Sequence, residues 1–232
     1  MIPFSQKPKR SAILTGMISI LLVLFLLSFI GSPFVLHLIG LSKINGTVFF
    51  ISRMLYWICL VLVWFYATRS EKQPLLIWQE KKYHFSIYLI STAAIFIILL
   101  IGLYTIQKLL LLANINKKSS ELSAIIDILR ENKLLLVFTV LTAGIVEELI
   151  FRGYLLPRLE IIFKSPFWAI TISSLLFGSL HYKYGTVINI AGPVFIGFVF
   201  SYYYWKYRNI KILILSHIIW DLIGILILVK QH

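Results

Sequence analysis

Seven stretches of this chain read as membrane spans: Ser11 to Ile30, Ile44 to Thr68, Phe85 to Leu112, Leu134 to Leu156, Phe167 to His181, Val187 to Trp205 and Ile210 to Val229. Runs of this length and apolarity, in a chain of 232 residues that is 59% hydrophobic and only 13% charged, leave too few polar residues to cover a water-facing surface. Lipid is therefore the expected solvent. The fold class that follows is all-α, a polytopic transmembrane helical bundle of about seven spans. The first apolar run has no small-residue cleavage pattern near Gly31, Ser32 and Pro33, so it is expected to stay as a span rather than leave as a signal peptide.

The net charge of +13 does not point to nucleic acid, because the Lys and Arg residues lie in the short segments between spans and not in one basic domain. Lys7, Lys9, Arg10, Arg69, Lys72, Lys81, Lys82, Arg158, Lys164, Lys206, Arg208 and Lys211 fall on one side of this topology. That bias predicts a cytoplasmic N-terminus, an external C-terminus and contact with lipid headgroups. The single cysteine, Cys59, lies inside an apolar run and allows neither an internal disulfide nor a cysteine-based metal site.

Ionisable groups at membrane depth divide the chain in two. The spans within 1–133 read as Leu, Ile, Val and Phe with ordinary punctuation, whereas 134–232 holds nearly every buried acid and histidine. In the fourth span Glu147, Glu148 and Arg152 interrupt an apolar helix, where each isolated charge costs about 2.5 to 3.5 kcal/mol on insertion scales. Arg152 follows Glu148 by four positions and shares its face, while Glu147 points roughly 100° away. Glu148 is thus placed to pair with Arg152, and Glu147 is left for another task.

Phe177 and His181 are four apart on one helix face, and so are His217 and Asp221 in the last span. A carboxylate one turn from an imidazole can fix the ring's tautomer, an arrangement common to catalytic and metal-binding histidines. Glu147 and His181 each stand seventeen residues from Lys164, so a hairpin turning at Lys164, Ser165 and Pro166 brings them to one depth. Such a set can deprotonate a water directly, with Glu147 as general base, or through a zinc held by Glu147, His181 and His217. Both routes end in hydrolysis of a carbonyl compound.

The order Glu-Glu-x-x-x-Arg (Glu147, Glu148, Arg152), Phe-x-x-x-His (Phe177, His181) and His-x-x-x-Asp (His217, Asp221) resembles the CAAX-protease and bacteriocin-processing family of intramembrane proteases, also called CPBP or Abi. The resemblance covers about Leu134 to Val229. It implies N-terminal transmembrane helices over 1–133, a catalytic helical core over 134–232, and a peptide or protein substrate cleaved at the membrane. It further implies that Glu147 with His181 and His217 activates water, that Glu148 and Arg152 fix the helix geometry, and that Asp221 completes the site. Relatives are described both as zinc metalloproteases and as metal-free glutamate proteases; Asp221, where eukaryotic relatives tend to have asparagine, adds negative charge and leans toward a cation. The expected location is the bacterial cell membrane, with lipid as the other partner. The alternative is a non-enzymatic bacteriocin-immunity or partner-binding protein of the same fold.

Overall fold

The computed structural model describes residues 9–28, 36–38, 40, 44–115 and 117–231, and no strand occurs among them. Lys7, Ile30 and the 31–33 segment considered for cleavage lie outside the described residues. The helices are α1 (Arg10–Leu26), α2 (Gly46–Arg69), α3 (Phe85–Leu112), α4 (Ser120–Glu131), α5 (Lys133–Phe163), α6 (Pro166–Ser179), α7 (Ile188–Tyr207) and α8 (Ile210–Gln231).

Four of these, α2, α3, α5 and α8, are long and apolar enough to cross a membrane, and the chain is a multi-pass membrane protein. The other three helices read as spans fall outside that group. The first run forms a helix of 17 residues within the described part. The run ending at His181 forms a helix of only 14 residues, about 21 Å at 1.5 Å per residue, and His181 lies beyond its end in a turn. In α7 the terminal Tyr202, Tyr203, Tyr204 and Trp205 dilute an otherwise apolar helix. Aromatic residues of this kind suit the lipid–water interface more than its centre.

Polar side chains set where the helices begin. Asn45 accepts from Val48 N, Ser119 from Leu122 N, Asn132 from Leu135 N and Asn209 from Ile212 N, each satisfying one orphan amide of a first turn. Pro166 occupies the first position of α6, where a missing N–H costs nothing.

Helix α5 is the centre of the bundle: 61% of its apolar window is buried, against 17 to 28% for the other three spans. Its winding is not regular. Residues 143–147 and 149–155 form wider π-type turns, ending two residues before Pro157, which has no N–H to continue the standard ladder. A Cβ on Gly144 would stand 2.5 Å from Ile218 Cγ1 and 3.2 Å from its backbone N, so glycine is what lets α8 press against α5 here. Trp57 Nε1 donates to Thr142 Oγ1 at 2.9 Å and ties α2 to the same level of α5.

The segment between α2 and α3 is a strap folded into the bundle. Glu71 is buried: its Oε2 accepts from Arg158 Nε at 2.7 Å and its Oε1 from Tyr154 Oη at 2.6 Å. Arg158 also donates to the carbonyls of Leu75 and Tyr154 and stacks on the Tyr154 ring. It is fully buried and paired, and so is not the headgroup charge that the sequence suggests. Further along, Glu80 accepts from Tyr204 Oη and from Ile210 N, and Asn209 Nδ2 donates to Lys81 O. Both carboxylates thereby fix one end of the bundle.

Candidate active site

One face of the site is formed by α4, an amphipathic helix whose Leu122, Ile125, Ile126 and Leu129 look onto a cavity of about 320 Å³. Glu147, His181, His217 and Asp221 all line that cavity. Three separate elements, α5, the turn after α6, and α8, thus bring the residues of the three sequence motifs to one space.

Glu148 and Arg152 lie behind it, each with a side chain wholly removed from the surface. Arg152 Nη1 donates to Glu148 Oε1 at 2.9 Å, the pairing expected from their four-residue spacing. The guanidinium also lies over the rings of Phe177 and Phe200, at 4.4 and 5.5 Å from their centroids. Glu148 does more than the sequence suggests: the same Oε1 accepts from His217 Nδ1 at 2.8 Å. Since Nδ1 is the donor to this carboxylate, Nε2 faces the cavity side, 3.5 Å from Asp221 Oδ2. His217 is therefore held between α5 and its own helix.

His181 is fixed differently. Its Nδ1 lies 3.1 Å from the Phe177 carbonyl, which can only accept, so Nδ1 carries the hydrogen and Nε2 keeps its lone pair. Rings of Phe177 and Tyr184 pack on either side, at 5.3 and 5.9 Å between centroids. Phe177 thus serves three groups: it orients His181 through its carbonyl, and its ring touches Arg152 and His217. Glu147 is half-buried and makes no hydrogen bond or ion pair with a described residue, which leaves both its oxygens open to the cavity.

Several residues at this site escaped the sequence reading. Arg53, on α2, lines the cavity beside Glu147, as do Tyr184 and Asn189. An arginine inside an apolar span was a usable signal, because such groups are functional by default. Outside the spans, burial raises the Tyr184 hydroxyl pKa above its ordinary value. Burial, reinforced by the Arg53 charge and opposed by Glu121, draws the Lys183 ammonium below its own.

The donor set does not fit a zinc centre as it is arranged. Among the described residues no three His, Cys, Asp or Glu side chains are grouped so that they could hold a metal ion. The Nε2 of His217, the nitrogen left after its bond to Glu148, faces Asp221 Oδ2 at 3.5 Å.

No curated protein and no solved structure matches the chain. A family match does exist and covers the helices that carry the site, from the end of α4 to the middle of α8. Residues 130–223 match the model of the family described as type II CAAX prenyl endopeptidase, Rce1-like.

Proposed function

We propose that this chain is an intramembrane endopeptidase in which Glu147 is the general base. The observation that carries the reading is the division of labour between adjacent carboxylates. Glu148 is consumed by Arg152 and His217, while Glu147 opens unpaired onto the cavity shared with His181.

In this reading a water held between Glu147 and His181 Nε2 loses its proton to Glu147 as it attacks the scissile carbonyl. His217, with hydrogen on both nitrogens, turns its Nε2 face to the developing oxyanion, and Asp221 keeps the ring from swinging away. The glutamic acid then returns its proton to the leaving amine. Arg152 neutralises Glu148 and so holds the anchor of His217 in place. No step requires a metal.

The substrate is a peptide or protein at the membrane, and the division into an N-terminal helical part over 1–133 and a catalytic core over 134–232 follows the same reading. The amphipathic α4, over the cavity, is suited to admitting an extended chain from the interface.

The test is cleavage of a prenylated CAAX peptide and of unmodified peptides by purified protein in detergent, for wild type, Glu147→Gln and His217→Ala, with zinc measured in the same samples. The protease reading expects product from the wild type alone. It is lost if Glu147→Gln cleaves as fast as the wild type, or if no peptide is cleaved and Glu147→Gln still protects cells fully in a toxin challenge.

A further inference from the structure

A second, narrow cavity of about 50 Å³ runs from the far side of the site toward the end of α1. Five residues belong to both cavities: Arg53, Glu147, Phe177, His181 and Tyr184. Arg53 therefore stands where the two spaces meet, next to the carboxylate assigned the chemistry, and Lys183 adds a second cation to the wall of the smaller one.

Arg53 is held in an unusual way for an arginine seven residues inside a span that begins at Gly46. Its guanidinium rests on two rings of its own helix, Phe49 at 4.9 Å and Tyr56 at 4.8 Å. Among the described residues it forms no ion pair, and its Nε is buried without a hydrogen-bond acceptor. The two fully buried arginines, Arg152 and Arg158, each have a carboxylate. A guanidinium whose Nε is buried without an acceptor is costly, and stacking on rings orients its planar fork without consuming it.

Resting on the protease reading, we propose that Arg53 is a specificity residue that receives a carboxylate of the substrate peptide in the cavity shared with Glu147. A guanidinium accepts a carboxylate through two parallel hydrogen bonds, and this geometry fixes both position and orientation. The carboxylate so held would set which peptide bond lies over Glu147. Lys183, within electrostatic reach of Arg53, adds attraction for the same charge. A peptide chain supplies such a group either at its C-terminus or on an acidic side chain, and Arg53 can hold each.

Binding and turnover are measured separately, so that this inference and the protease reading can fail independently. A dye-labelled, prenylated CAAX peptide is prepared as the free acid, as the C-terminal amide, and as the amide with glutamate as its last residue. Each is titrated onto detergent-solubilised Glu147→Gln protein, which binds without cleaving. The expected result is that the free acid binds at least about tenfold more tightly than the plain amide, the scale of one charged hydrogen-bonded contact. Recovery of affinity by the glutamate amide identifies a side-chain carboxylate as sufficient; no recovery identifies the terminal one. Adding Arg53→Gln to that background is expected to erase the preference, and Arg53→Lys to retain part of it. Equal binding of acid and plain amide overturns the proposal, as does a preference unchanged in Arg53→Gln. If Arg53→Gln does not fold, Arg53→Lys must still weaken the preference by several-fold. Wild-type cleavage of both acid and amide at the same rate would leave the protease standing and remove the Arg53 assignment.

Discussion

His217 Nδ1 lies 2.8 Å from Glu148 Oε1, which makes a carboxylate of α5 the support for an imidazole of α8. That bond crosses the place where Gly144 lets the two helices touch, so the pair depends on the packing as much as the packing depends on it. Glu148, Arg152 and His217 form one buried unit, in which removing any charge strands another.

Glu148→Gln should be among the most destabilising changes in the chain. It leaves Arg152 enclosed without a counter-ion, at a cost of about 3 kcal/mol or more. Thermal unfolding in detergent, followed by helical circular dichroism, should show a clear drop in Tm. An unchanged Tm would mean that water reaches Arg152.

Glu147→Gln should behave in the opposite manner, keeping its Tm while losing about 100- to 10,000-fold in cleavage rate, the usual range for a general base. The contrast between neighbouring glutamates is the informative result. Single-turnover rates with matched unfolding curves for the two variants would supply it.

Gly144→Val should act through geometry alone. Its added methyl groups meet Ile218 and force α8 away from α5, stretching the Glu148–His217 bond. Activity and Tm should fall together, and Ile218→Ala in the same chain should restore part of both. Failure of that second change to restore anything would place the damage elsewhere.

Glu71→Gln and Arg158→Met should each destabilise the protein more than the double variant's behaviour would suggest. Removing one member leaves the other charged and buried, whereas removing both leaves a neutral interior. A double-mutant cycle by thermal unfolding should therefore give a large coupling energy. Additive losses would show that the pair is solvated.

Much of this site was legible in the sequence because it is written at helical spacing. The four-residue intervals of Glu148 with Arg152, Phe177 with His181, and His217 with Asp221 each correspond to a contact in the structure. The equal distance of Glu147 and His181 from Lys164 correctly brings them to one cavity. Contacts between distant segments were not legible: nothing in the spacing says that His217 leans on Glu148, or that Arg53 reaches the site from α2. Charge counting assigned Arg158 to the lipid surface, because a count along the chain cannot see Glu71 folding back upon it. Span length also misled where α6 stops short, since an apolar run continues through a turn as readily as through a helix.

The strap between α2 and α3 bears on how the protein is made. Its two acids emerge from the ribosome well before the groups they bind: Glu71 precedes Arg158, and Glu80 precedes Tyr204 and Ile210. Until the later helices are inserted, both carboxylates must wait in water or at the headgroups, and the strap cannot settle. Its docking is thus a late event that reports completion, and a nascent chain halted before Arg158 would present an open loop with two undocked acids to the quality-control proteases of its membrane.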